Sequence, residues 1–112
     1  MLENIAIVPQ YRHNTPFAEA ADQAWRLLGL LGCTDCALKR DPDLSAEERF
    51  AAKLLRAIIL APPIIAIDRP ALLLPDTDYP PFLEQTLARL EGRYTECWII
   101  DYAWNKPLYA PR

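Results

Sequence analysis

Residues 41–70, DPDLSAEERFAAKLLRAIILAPPIIAIDRP, place a helix and a strand end to end, and that pairing sets the class of the fold. Ser45 opens the helix: its hydroxyl can cap the first turn while Glu48, three residues on, reaches back to the cap in a reciprocal capping box. Ala51, Leu54, Leu55, Ile58 and Ile59 then supply a broad apolar face that carries the helix to about Leu60. Pro62 and Pro63 break the apolar run. Ile64–Ile67 follows as a continuous apolar tetrapeptide, which suits a strand covered on both faces.

Downstream, Leu72–Pro81 reads as a proline-punctuated loop. Phe82–Leu90 reads as a helix with Leu83, Leu87 and Leu90 on one side and Gly92 at its end. Glu96–Asp101, ECWIID, reads as the last strand, and the tail NKPLYAPR as irregular chain. Strand, loop, helix, strand over Ile64–Asp101 is a βαβ unit, so its two strands should lie parallel with a right-handed crossover. Upstream, Cys33–Asp43 is a polar connector. Thr15-Pro16 is a helix-start signal, and Phe17, Ala21, Ala24, Leu28 and Leu31 form one apolar stripe ended by Gly32, so a helix is expected over Pro16–Leu31. Glu3–Val8 is β-branched enough for a short strand ended by Pro9. No repeat is present. The expectation is an α/β fold, a small, mostly parallel sheet with two or three helices, two of them preceding the βαβ unit.

Length and composition bound the rest. The 112 residues make one domain, 1–112, able to bury roughly two-thirds of the surface the unfolded chain exposes. With 52% hydrophobic residues, including three Trp, five Tyr and three Phe, the chain has ample core material and is not composed like a disordered one. Twelve basic against fifteen acidic residues leave a net charge of -3, and the basic ones are scattered rather than gathered into a stripe, which argues against nucleic acid as a partner. The N-terminus lacks a basic region ahead of a long apolar run, and the greasiest stretch, Ala57–Ile67, is interrupted by Pro62 and Pro63; neither a signal peptide nor direct membrane insertion is expected. Cys33, Cys36 and Cys97 are odd in number in a chain with no export signal, which points to reduced thiols and a cytoplasmic location.

From Leu44 to Pro70 the chain resembles, without a gap, the segment of ABC-transporter ATPase domains that runs from the LSGGQ signature loop to the Walker B strand. Leu44 and Ser45 match the first two loop residues, and Arg56-Ala57 the Arg-Ala late in the next helix. Pro62 matches the proline before the strand, Ile64–Ile67 the strand, and Asp68 and Pro70 the outer residues of Asp-Glu-Pro. ENIAI at Glu3–Ile7 looks like the segment after the Q-loop, and Pro16–Leu31 like a helix of the helical subdomain. WIIDYA falls where the family has its switch histidine. The resemblance implies the second half of such a domain, the helical subdomain plus the Walker B half.

The departures from that pattern imply a loss of hydrolysis. A P-loop needs G-x-x-x-x-G-K-[ST] so that glycine amides wrap the phosphates and lysine neutralises them; of Gly29, Gly32 and Gly92, none begins such a motif. In the family, two signature glycines let amides at a helix N-terminus approach a partner's ATP; here Ala46 and Glu47 replace them and Glu48 replaces the glutamine. A carboxylate about 4 Å from a phosphate charge costs roughly 4 kcal/mol per charge pair at an effective dielectric near 20, more than a helix end returns. The glutamate that would act on the attacking water is Arg69, whose guanidinium cannot accept a proton at neutral pH. The switch position falls on Tyr102, whose phenol is a poor substitute for an imidazole. Asp68 alone could ligate magnesium, but that ion is usually held jointly with substrate phosphates.

Other constellations are weaker. Cys33 and Cys36 form a C-x-x-C that, with Cys97 and His13, could formally make a zinc site or a redox pair, but the ligands come from distant segments and ordinary cysteines explain them better. No metal and no nucleophilic arrangement is expected. Trp98, Tyr102, Trp104 and Tyr109 crowd the C-terminus as core and packed tail, or alternatively as a contact surface in which Trp98, Trp104 and Tyr109 meet a partner. A sheet this narrow also exposes edges and faces that a partner or second copy could cover.

The expected function is that of a non-catalytic, degenerate ABC-ATPase-like protein without a cofactor, acting by contact with a transporter component, a full-length ATPase or itself. The alternative is a fragment of an ATP-binding subunit that completes a nucleotide site in trans, with ATP and magnesium held jointly with a partner subunit. A third reading is a transporter remnant with no role.

Overall fold

Helix α1 spans Leu2–His13, where the residue pattern suggested a strand. Its buried residues are Ile5, Ala6 and Pro9, at i, i+1 and i+4, which share a face only on a helix. A strand there would have had no neighbour to pair with, whereas the helix buries this face against the next two helices, so tertiary packing overrides the β-branched composition. Pro9 therefore lies inside the element instead of ending it, leaving the Ile5 carbonyl without its i+4 donor. Asn14, left-handed at φ 52°, closes the helix by donating its backbone N–H to the Pro9 carbonyl.

The computed structural model describes residues 1–109. Helix α2, Phe17–Leu30, forms where expected, but its buried face is Ala20, Ala24, Leu27 and Leu28. Phe17 is 53% exposed, because the stripe is turned so that two alanines let α1 approach closely. The polar connector contains two 3₁₀ turns, Thr34–Cys36 and Asp41–Asp43. Helix α3, Ala46–Ile58, carries the predicted capping box and buries Phe50, Ala51, Leu54, Leu55 and Ile58; Ile59 lies just beyond it and is half-buried.

Strand β1, Ile64–Asp68, and strand β2, Glu96–Ile100, pair in parallel, with Ile64 opposite Glu96, Ala66 opposite Trp98 and Asp68 opposite Ile100. This is the βαβ unit read from the sequence. Between the strands lie α4, Pro70–Leu73, and α5, Tyr79–Arg89. Leu72–Pro81 is thus helical at both ends, since Pro70 opens one helix and Pro80 and Pro81 sit in the first turn of the other, where a missing N–H costs nothing. The tail is a 3₁₀ helix over Ala103–Tyr109 instead of irregular chain; its last residues, 110–112, lie outside the described residues.

Ile65 and Ile67 face the core with Leu28, Leu55, Leu74, Leu83 and Leu90. The other face of β1 is exposed, so the strand is covered on one side and not on both. A continuous apolar run does not distinguish the two cases. Among the described residues the sheet has two strands only.

Candidate functional site

In open α/β sheets the carboxyl ends of parallel strands are where ligands meet the fold. Here that rim gathers Asp68, Arg69, Asp101 and Tyr102. Register brings them together: the Arg69 N–H donates to the Ile100 carbonyl at 2.6 Å, continuing the ladder one step past β1. Arg69 itself is left-handed, φ 46° and ψ 69°, a strained conformation for a residue with a Cβ. Its guanidinium turns back on Asp68, with Nε and Nη2 both 3.3 Å from Oδ2. Tyr102 lies beside the same guanidinium and stacks on Trp104, ring centroids 4.3 Å apart and planes 7° from parallel.

Asp101 organises the tail. Its Oδ1 accepts from the Tyr102 N–H at 2.7 Å and from Asn105 Nδ2 at 3.0 Å; its Oδ2 accepts from the Tyr109 hydroxyl at 2.7 Å and, more weakly, from the Tyr79 hydroxyl at 3.5 Å. The bonds from Asn105 and then Tyr109 hold its carboxyl below the usual range, while burial and the Asp101 carboxylate push the Tyr109 hydroxyl up. Sequence reasoning saw Asp101 only as the end of a strand. The signal was a carboxylate at that end followed four residues on by Asn105, spaced to fasten a turn. Tyr109 is thus half-buried on Asp101, whereas Trp98 and Trp104 are 54% and 72% exposed.

The signature-like loop is a second cluster. Leu44 is buried; Ser45 Oγ accepts from the Glu48 N–H at 3.1 Å, and Glu48 Oε1 accepts from the Ser45 N–H at 2.9 Å. Lys39 Nζ adds an ion pair to Glu48 Oε2 at 3.2 Å, and Glu47 accepts from the Thr77 hydroxyl at 3.0 Å. The Ser45 amide bond, above all, draws the Glu48 carboxyl down to about 2. Ala46, half-buried, opens α3 just after the cap. One amide at this helix end is therefore taken by Ser45, and two carboxylates stand beside the others. Among the described residues no hydrogen bond or ion pair joins this cluster to Asp68, Arg69 or Tyr102.

The cysteines are free thiols. Cys36 Sγ donates to the Cys33 carbonyl at 2.9 Å and touches Met1 Sδ at 3.7 Å; burial pushes its thiol up to about 11, and burial raises Cys33 and Cys97 as well. Cys97 lies on the inner sheet face opposite Ile65, and His13 is exposed at the end of α1. No group of three His, Cys, Asp or Glu side chains among the described residues is placed to hold a metal ion. Nor is any helix among them long and apolar enough to cross a membrane.

The chain is 30% identical over 99 residues to the lipoprotein-releasing system ATP-binding protein LolD of Bacteroides thetaiotaomicron. The match supports a relationship to the ABC ATPases. It covers 88% of this chain but 44% of LolD, so the chain spans less than half the length of that relative. No family model and no solved structure matches. A fold of helices on a small parallel sheet is compatible with part of an ABC ATPase domain.

Proposed function

We propose that this chain is a non-hydrolysing, ABC-ATPase-like unit that acts through contact with another protein, a transporter component, a full-length ATPase or a second copy. The observation that carries this reading is the outer face of the β1–β2 sheet. Ile64, Trp98 and Ile100 lie on that face 47%, 54% and 50% exposed, and the 3₁₀ tail adds Tyr102 and Trp104, also exposed. A contiguous apolar face rimmed by Asp68, Arg69 and Glu96 is what a protein contact looks like before it is made. Both strands also have one edge unpaired by the other.

Chemistry at the rim supports the non-hydrolysing half of the proposal. Among the described residues, the hydrogen bond and ion pair at the Asp68 carboxylate come from the Arg69 guanidinium, which can neither accept a proton from water nor coexist easily with a metal cation at the same oxygen. Titration of ATP with magnesium, followed by the fluorescence of the three tryptophans, is expected to give no saturable change. ATP turnover that disappears in Asp68→Asn or Ser45→Ala would overturn it. Light scattering identifies the occupant: a mass above that of the 12.8 kDa monomer that reverts to monomer in Trp98→Glu means a second copy, and a monomer means a different protein.

A second reading is supported by the similarity to a protein more than twice as long. In it the chain is part of an ATP-binding subunit that completes a nucleotide site in trans, Ser45 and Asp68 touching ATP and magnesium held mainly by the partner. Saturable ATP binding that appears only when a P-loop-containing partner is added would favour it.

A further inference from the structure

We propose that Met1, Cys33 and Cys36 form a three-sulfur site for a soft monovalent metal ion, Cu(I). Cys36 and Met1 are 35 positions apart in the chain, yet Cys36 Sγ and Met1 Sδ lie 3.7 Å from each other. Three sulfurs bound to one ion at about 2.3 Å each stand about 4 Å apart in a trigonal plane, so this pair has the spacing of two ligands on one metal. Cys33 and Cys36 bracket a single 3₁₀ turn, in which side chains three residues apart eclipse, and their thiols are close enough that each alters the titration of the other. The backbone holds all three residues. The Cys33 N–H donates to the Leu28 carbonyl at 2.8 Å and the Cys36 N–H to the Cys33 carbonyl at 3.2 Å. The Met1 amino nitrogen donates to the Lys39 carbonyl at 2.7 Å and the Leu2 N–H to the Ala37 carbonyl at 2.8 Å, which fastens the start of α1 to the segment carrying the thiols. An ion would find its ligands arranged before it arrives.

Donor chemistry selects the ion. Thiolate and thioether are soft donors that suit Cu(I). Zinc asks for a tetrahedron of N, S or O ligands, and the other candidates stand elsewhere or are engaged. Cys97 lies opposite Ile65 in the sheet, His13 is exposed at the end of α1, and the two Glu48 oxygens accept from the Ser45 N–H and from Lys39. Cys36 and Met1 are 2% and 6% exposed, a shell that keeps water from a bound ion. Cys33 is half-buried and opens onto a cavity of about 180 Å³ lined also by Glu47, Glu48 and Arg89, which gives the ion a path of entry. The two carboxylates draw a cation inward. Burial raises both thiols, so they are protonated in the free chain. On binding, each S–H bond gives way to an S–Cu bond and both protons pass to water, with the oxidation state of copper unchanged. The guanidinium of Arg89, beside Cys33, offsets the negative charge this leaves on the site.

The test uses the whole chain, its thiols reduced, titrated anaerobically with Cu(I) in competition with the chromophoric chelator bicinchoninate. One equivalent should bind, and the thermal unfolding midpoint should rise, because the ligands come together only in the folded chain. Cys97→Ser should bind like the parent. Cys33→Ser and Cys36→Ser, with unchanged circular dichroism, should each bind about 100-fold more weakly or worse, beyond the loss typical of groups that merely support a ligand. Met1 is the single methionine of the chain, so growth on selenomethionine places one selenium atom at the site. Copper-edge X-ray absorption should then show one selenium and two sulfur neighbours, a readout that needs no variant to fold. Absence of the selenium neighbour, binding of less than one equivalent, or displacement of Cu(I) by equimolar zinc would overturn the proposal. So would copper binding that is lost in Cys97→Ser or retained in the double variant C33S/C36S.

Discussion

Arg69 concentrates what single residues contribute here. It occupies the position where the resembled motif has a glutamate, adopts a left-handed backbone that disfavours any side chain, and is held there by its N–H on Ile100 and its ion pair with Asp68. The arginine was visible in the sequence; its conformation was not, because φ at one residue is set by the register of two strands remote in sequence. Glu48 is the opposite case, since its spacing from Ser45 announced the capping box that the structure contains. Its carboxyl titrates at about 2 in the folded chain against an ordinary 4.5. A depressed folded value means the stabilisation is complete above about pH 4.5 and is lost progressively as pH falls toward about 2. In Glu48→Gln, which keeps a capping acceptor but no charge, urea midpoints measured from pH 6 to pH 2 should fall less steeply than in the parent.

At the scale of elements, termini were more legible than faces. The start of α3 and the glycine beyond α5 followed from side chains that act on their own neighbours: Ser45 caps locally, and Gly92 takes φ 91° without strain. The end of α3 breaks the usual rule. Ala61 adopts φ 50°, its N–H closing on the Ile58 carbonyl at 2.8 Å, in the conformation where glycine is normally found. Ala61→Gly should therefore raise stability by about 0.5–1 kcal/mol, the relief of the left-handed Cβ exceeding the entropy glycine loses; thermal unfolding should show a midpoint a few degrees higher. Faces depend on neighbours. The α2 stripe is turned toward Ala20 and Ala24 because α1 packs there, and α1 is a helix because that packing exists.

For the molecule as a whole, one sheet face is buried and the other open. Leu55 lies in the buried half at 0% exposure, so Leu55→Ala should cost about 2–5 kcal/mol in urea unfolding, a large part of the roughly 5–15 kcal/mol a domain possesses. Leu72→Ala, at a site 67% exposed, should stay within about 0.5 kcal/mol. The proposed contact surface lies on the open side: Trp98→Glu should remove association through the sheet while leaving the circular dichroism of the helices intact, because its side chain supports none of the core. By itself the sequence determined the α3–β1 succession, the parallel βαβ unit and the capping box, since each rests on residues adjacent in the chain or on periodicity within one element. Only the tertiary structure decided that Leu2–His13 is a helix, that β1 is covered on one side, that Asp101 fastens the tail, and that Met1 lies against Cys36. Those outcomes depend on which segments come to lie against one another, and contact free energy between distant segments outweighs local preference wherever the two disagree.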